Sequence, residues 1–375
     1  MRDHKEFIKE TLRLAKNGKG LVSPNPMVGA VIVKGSRIAG KGWHKAFGMP
    51  HAEIEALKEA GSRAKGATLY VNLEPCCHYG KTPPCTKAIM EAGIKEVICS
   101  MEDPNPLVAG KGIEELEKNG ITVRTGVLRE EAEKLNRQYI TYITKKRPYI
   151  ILKWAQTIDG KIATYTGSSK WITGEETRDF VKKMRFEVDG IVVGINTVVN
   201  DNPSLDYIAP SFQAKKEILN KKRYWKIVID PHLKISEEGR IWDCPDCKVL
   251  LVVSEKVEED RVRYLTDRKR CEIVKIPQEG DGLSLKVLME ELYKREIGII
   301  MVEGGSKTLT SFWEEKLVDE IIVFTGNKLL GGRASLSPVA GEDKRSISEA
   351  INIEEIETGR IGNDFFIRGR PCFPE

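Results

Sequence analysis

Residues 67–93 decide the reading of the first half of the chain. Ala67-Thr68-Leu69-Tyr70-Val71-Asn72-Leu73 is a short apolar run with strand character. Glu74-Pro75-Cys76-Cys77-His78-Tyr79-Gly80-Lys81-Thr82-Pro83-Pro84 follows as a proline-broken loop, and Cys85 leads into a helical stretch, Thr86–Ala92, closed by Gly93. Strand, loop and helix in that order are the unit of an α/β domain. Three of the chain's eight cysteines lie within the ten residues Cys76–Cys85, and that density points to a metal or to catalysis.

The same alternation runs outward on both sides. Upstream, His4–Gly18 reads as a helix, Met27–Val33 and Arg37–Trp43 as a hairpin around Lys34-Gly35-Ser36, and His51–Ala60 as a helix ending at Gly61. Downstream come a strand at Lys95–Ser100, a helix at Gly112–Asn119, a strand at Ile121–Thr125 and one helix over Arg129–Thr144. A largely parallel sheet with helices on both faces is expected. Lys145-Lys146-Arg147-Pro148 is a basic, helix-stopping break, so the domains are expected to be 1–147 and 148–375. The second half is again α/β. Its expected strands are Tyr149–Ala155, Gly190–Val193, Lys226–Ile229, Lys248–Val253, Glu272–Ile276, Ile297–Val302 and Glu320–Phe324, with helices at Glu175–Phe186, Leu283–Arg295 and Lys307–Leu317. Pro210–Tyr224 is polar and Lys-rich and reads as a solvated loop.

A length of 375 residues suits two domains. The charged start, Met1–Glu10, lacks a signal peptide's apolar stretch, and no apolar run approaches the ~18 residues of a membrane span. A soluble, cytoplasmic chain without membrane partners is expected. The net charge of +5 is uneven: residues 1–147 carry +8 and the remainder −3. A positive first half suits an anionic small molecule, and a net negative second half argues against nucleic acid. Cys244 and Cys247 form a lone C-x-x-C that reads first as an ordinary loop, with a disulfide or redox pair as the alternative.

His51-Ala52-Glu53 opens a predicted helix, Pro75-Cys76 follows a predicted strand and Cys85 opens another helix. Zinc nucleobase deaminases carry H-x-E followed by P-C-x-x-C. One imidazole and two thiolates leave zinc a fourth position for water, whose pKa the metal lowers towards ~7. Glu53 is then the proton shuttle. The x-x-C position holds Tyr79, so the second thiolate comes from Cys85 across a longer loop, with Cys77 as the rival to Cys76. A purely structural zinc, with Glu53 incidental, is the other reading of these residues.

Three stretches, Ser23-Pro24-Asn25-Pro26-Met27-Val28-Gly29, His51-Ala52-Glu53 and Glu74 through Cys85, closely resemble the bifunctional riboflavin biosynthesis deaminase–reductase family. The resemblance implies a cytidine-deaminase-like α/β/α domain in which His51, Cys76 and Cys85 hold Zn²⁺, Glu53 is catalytic, and Asn25, His44 and the His78–Lys81 loop line a pyrimidine pocket. The second half resembles that family's dihydrofolate-reductase-like α/β domain through Lys153–Lys161, Gly167–Thr173, Arg185, Gly194–Val198, Asp201-Asn202-Pro203 and Val302–Ser306. There the resemblance implies NADPH against Ala155, Trp171, Thr197, Asp201, Gly305 and Ser306, and substrate against Ser169, Arg185, Leu205 and Glu303. Arg185 would fork onto the 5′-phosphate. The expected chemistry is hydrolytic deamination of a phosphorylated diaminopyrimidine, then reduction of its ribosyl group to ribityl, in a homo-oligomer.

Glu303-Gly304-Gly305-Ser306 leads from a strand into a helix, where free N–H groups suit a pyrophosphate. Asp159 is a candidate proton donor, although Asp-Gly also suits a turn. Two departures stand out. Relatives carry Thr and then a phosphate-gripping Arg after Leu205, where this chain has Asp206-Tyr207-Ile208, and Thr157 stands where Ser is common.

Overall fold

The computed structural model describes residues 4–79, 83–209, 216–244, 246–341, 343 and 345–374. It divides into two compact units, residues 1–147 with 212–222, and residues 148–211 with 223–375. Among the described residues no helix is long and apolar enough to cross a membrane.

The first unit is built on a five-stranded sheet. Its order is Arg37–Trp43, Gly29–Lys34, Thr68–Val71, Glu96–Cys99, Thr122–Arg124. The sheet is mixed, not largely parallel: Gly29–Lys34 runs antiparallel to both its neighbours, and only the last two pairings are parallel. The helix Ala52–Ala60 still crosses between two strands of the same direction, but they straddle Gly29–Lys34 instead of pairing. Gly40 and Gly42 seat that helix. A Cβ at either would lie 2.3 Å from the carbonyl of Ala56 or Ala52. Small residues on both sides therefore bring the helix start, where His51 is the N-cap, down onto the sheet.

The expected single helix over Arg129–Thr144 is two helices, Arg129–Leu135 and Arg137–Lys145. Asn136 breaks it, for a visible reason. Its buried side chain accepts from Met27 N–H at 2.8 Å and donates to Met27 C=O at 3.1 Å, as a neighbouring strand would. Asn72 adds a bond to the same carbonyl at 2.9 Å. Both amides thus anchor the loop that carries Asn25.

The second unit holds a nine-stranded sheet ordered Cys271–Ile276, Lys248–Ser254, Trp225–Ile229, Gly190–Gly194, Ile299–Gly304, Tyr149–Gln156, Glu320–Thr325, Asp364–Cys372, Asn352–Ile361. The first seven are parallel, and the last two form an antiparallel hairpin at one edge that the sequence reading did not include. Tyr149–Gln156 comes first in the chain yet lies between two late strands. The strand order turns back on itself there, and ligands of open α/β sheets bind beyond the carboxyl ends of strands at such a point.

Three local expectations change. Cys244 and Cys247 form a disulfide, so the plain-loop reading gives way to its alternative. Within Pro210–Tyr224, residues 210–215 lie outside the described residues. The rest is not simply a solvated loop, because Lys216–Leu219 is helical and Tyr224 is buried in the core. Asp159 is exposed and clamps two loops: its carboxylate accepts from Thr157 Oγ1, Leu330 N–H and Gly331 N–H. Those bonds, led by Leu330, hold its carboxyl well below the usual range, which suits a turn anchor and not a proton donor.

Candidate functional site

In the first unit, His51, Cys76 and Cys85 converge from the start of one helix, the loop after Thr68–Val71 and the start of the helix Cys85–Glu91. Their ligand atoms lie within 4.8 Å of one another. His51 Nδ1 is 3.5 Å from Cys76 Sγ and 3.3 Å from Cys85 Sγ. A tetrahedral zinc with ordinary bond lengths separates such a nitrogen and sulfur by about 3.6 Å. Cys85 N–H points at Cys76 Sγ from the helix start, 3.4 Å away. The Cys76 thiol is pulled well below its ordinary pKa, by Cys85 first and then His51, while Cys85 is pushed up by Cys76 and then by burial. Cys77 is not part of the cluster.

Glu53 is buried beside them, and its Oε2 has no hydrogen-bond partner among the described residues. Burial raises its pKa against the pull of His51. A buried carboxyl with an unused oxygen next to three soft ligands fits a site completed by a metal and a reacting molecule. His44 bonds Pro50 C=O through Nδ1 at 3.1 Å, and Asn25 Nδ2 reaches its Nε2 at 3.2 Å. Burial lowers the His44 pKa to about 4, keeping the ring neutral at pH 7. Its ring meets that of His51 edge-on, at 5.4 Å between centroids. His78 has a buried Nδ1 without a partner among the described residues. Gly80 and Lys81 lie outside the described residues.

In the second unit, Ala155, Ser169, Trp171, Arg185, Thr197, Asp201, Leu205, Glu303, Gly305 and Ser306 all border one cavity of about 1430 Å³, at the carboxyl ends of the strands where the order turns back. Ser169 donates to Asp201 at 2.9 Å. Trp171 is exposed at the rim with the Arg178 guanidinium 4.4 Å over its ring. Gly305 N–H is not free for a phosphate, because it donates to Thr197 Oγ1 at 2.9 Å. Arg185 is committed too: Nε and Nη2 fork onto Glu303 at 2.7 and 2.8 Å, and Nη1 donates to Asp206 C=O at 3.0 Å. Of a guanidinium's five N–H donors, two remain.

Lys153, which the sequence reading quoted but gave no role, completes this cluster 3.6 Å from Glu303. A lysine inside the apolar strand Tyr149–Gln156 was the available signal. Burial lowers its pKa. Burial also works against the Glu303 charge, but Arg185 and then Lys153 outweigh it and bring its pKa down to about 2. A depressed carboxylate pKa contributes stability that is complete above its ordinary value of ~4.3 and is lost as pH falls towards the folded value. The second unit should therefore lose stability between about pH 4.5 and 2. Acid titration of thermal unfolding reads this, and Glu303→Gln should remove that part of the slope. An unchanged slope would contradict the ion-pair account.

Known protein families match the two halves of the chain separately. Residues 1–101 match the cytidine and deoxycytidylate deaminase zinc-binding region, and residues 148–367 match the RibD C-terminal domain. The chain is 42% identical to the riboflavin biosynthesis protein RibD of Aquifex aeolicus over 363 residues, 97% of each chain. It is 37% identical to that of Escherichia coli, over 96% of each. A solved Acinetobacter baumannii RibD superposes with a TM-score of 0.86 at 31% identity, covering 98% of this chain and 99% of that one. A Thermotoga maritima diaminohydroxyphosphoribosylaminopyrimidine deaminase/5-amino-6-(5-phosphoribosylamino)uracil reductase gives 0.81 at 36%, with 98% and 99% covered.

Proposed function

Because the chain belongs to the RibD family of riboflavin biosynthesis, which joins a zinc-binding deaminase to a reductase, we propose that its two sites perform the two reactions named for the Thermotoga relative. The first unit deaminates a phosphorylated diaminopyrimidine, and the second reduces the ribosyl group of the product to ribityl. The observation that carries this is the convergence of His51, Cys76 and Cys85 around a buried Glu53 with an unpartnered oxygen.

His51, Cys76 and Cys85 would hold zinc, which supplies the Lewis acidity that makes water nucleophilic at neutral pH. Glu53 takes the proton released as water adds to the amine-bearing ring carbon and passes it to the departing ammonia. Its raised pKa suits a group that must both hold and release a proton. Asn25, His44 and His78 form the pyrimidine wall. The neutral His44 accepts from the Asn25 amide, which leaves the Asn25 carbonyl oxygen to accept from an N–H of the ring.

In the second unit, NADPH would supply the hydride. Ala155, Trp171, Thr197, Asp201, Gly305 and Ser306 orient the cofactor, while Ser169, Leu205 and Glu303 face the sugar. Arg185 offers its two remaining N–H groups to the 5′-phosphate. The reading includes a cytoplasmic homo-oligomer, which sedimentation and cell fractionation test.

Mass spectrometry of products, with and without NADPH, tests both reactions on one chain. Deamination alone is expected without the cofactor and a ribityl product with it. No deamination by zinc-loaded protein would overturn the first assignment. A chelator should abolish deamination and leave reduction of the deaminated intermediate unaffected, with zinc restoring the first. Equal loss of both activities would contradict the division of labour.

A further inference from the structure

Two features that the catalytic reading leaves unused meet in space. One is the lone Cys244–Cys247 pair. The other is Asp206-Tyr207, where the resemblance led us to expect a phosphate-binding arginine. An Asp206 carboxylate oxygen and the two sulfurs lie within 4.8 Å of one another. Asp206 is also the acceptor for Lys226 Nζ, at 3.1 Å, and Lys226 donates again to Ile241 C=O, also at 3.1 Å. Lys226 has no exposed side-chain surface, so its charge is neutralised within this small group.

The backbone of the same segment reaches the substrate site. Asp206 C=O accepts from Arg185, and Leu205 borders the cavity. Tyr207 packs against Tyr224 and Phe186, with ring centroids 4.9 and 5.7 Å away. Burial, and then Asp246 between the two cysteines, raises the Tyr207 pKa. Asp206 therefore links the two: its carboxylate lies beside the disulfide sulfurs and its carbonyl is held by Arg185.

We propose that the Cys244–Cys247 disulfide, acting through Asp206 and Lys226, positions the Leu205–Tyr207 wall of the reductase's substrate site, and that opening the disulfide weakens substrate binding there. This rests on the reductase reading above. The opening step is thiol–disulfide exchange with a small dithiol. The dithiol gives up two electrons and two protons, its sulfurs join in a cyclic disulfide, the Cys244–Cys247 bond breaks and two thiols form. Both cysteines are partly exposed, so a reductant can reach them.

The test compares oxidised holoenzyme with enzyme treated with dithiothreitol in zinc-containing buffer, the opened pair being verified by alkylation and mass spectrometry. The reductase KM for its phosphorylated substrate should rise about tenfold while kcat changes less than about twofold. Deamination, in the other unit, should be unaffected. Cys244→Ser with Cys247→Ser should show the raised KM and no further response to the reductant. Ribose 5-phosphate binding by calorimetry, which needs no turnover, should weaken by a similar factor. Unchanged KM and unchanged ribose 5-phosphate affinity would overturn the proposal. A double variant that still responds to the reductant would also overturn it. If the reduced protein takes up a second zinc and keeps its KM, the three side chains are a metal site and the disulfide is not the holder. If oxidised enzyme reduces no substrate at all, the reductase reading fails, and calorimetry still decides the role of the disulfide.

Discussion

Glu53→Gln should cut deamination at least about a thousandfold while the zinc stays bound. General acid–base groups typically contribute about 10²–10⁴, and here one carboxyl serves both the attack of water and the departure of ammonia. The amide keeps the shape but cannot carry the proton. None of the three ligands is touched, so metal content by atomic spectroscopy should remain at one per chain. The deaminated intermediate should still be reduced at the normal rate, because that chemistry belongs to the other unit. A zinc-loaded variant that turns over within a few-fold of wild type would remove Glu53 from the mechanism. Loss of zinc together with activity would make it a structural support for the site.

Arg185→Met should damage the second unit in two ways. It leaves Glu303 nearly buried with only Lys153, 3.6 Å away, in place of a two-bond fork. Breaking a buried pair by removing one partner typically costs about 3–5 kcal/mol. At roughly 2–4 °C per kcal/mol for a unit of this size, unfolding of the second unit should come about 10 °C earlier. Methionine roughly preserves the side-chain volume, so the loss reports the charge. Catalytically, charge-assisted hydrogen bonds of about 1.5–3 kcal/mol disappear. The reductase kcat/KM should fall on the order of a hundredfold at temperatures where the variant is folded, with deamination unchanged. A folded variant with the wild-type KM would show that the phosphate is held elsewhere.

The site was more legible in the sequence than the sheets that carry it. His51, Glu53, Cys76 and Cys85 stand out because zinc chemistry restricts residue type and order, whereas pairing partners of strands leave no such mark. Thus the strands of the first sheet were found, but not that Gly29–Lys34 runs between two parallel neighbours. The edge hairpin at Asn352–Ile361 and Asp364–Cys372 escaped notice because Glu354, Glu355, Glu357 and Arg360 give it the polar composition of an edge strand. The helix Ile195–Asp201 is rich in β-branched residues and Asn, so its propensity is low and its position in the fold determines it. At Asn136 the periodic pattern was correct, but a long-range bond to Met27 outweighed it. The state of Cys244 and Cys247 could not follow from spacing alone, because the loop and the disulfide readings share the same pattern.

The central position of Tyr149–Gln156 has a consequence for synthesis on the ribosome. Its neighbours, Ile299–Gly304 and Glu320–Thr325, begin about 150 or more residues later in the chain. At roughly 5–20 residues per second, this apolar strand waits on the order of ten to thirty seconds with both edges unsatisfied. The strands of the first unit all precede Arg147, so its sheet is out before that wait begins, while its remaining segment, residues 212–222, follows during it. The nascent chain therefore spends much of its translation with the first unit's sheet complete and a long, sticky, unfinished second unit behind it. That interval, not the folded protein, is when a chaperone would matter most.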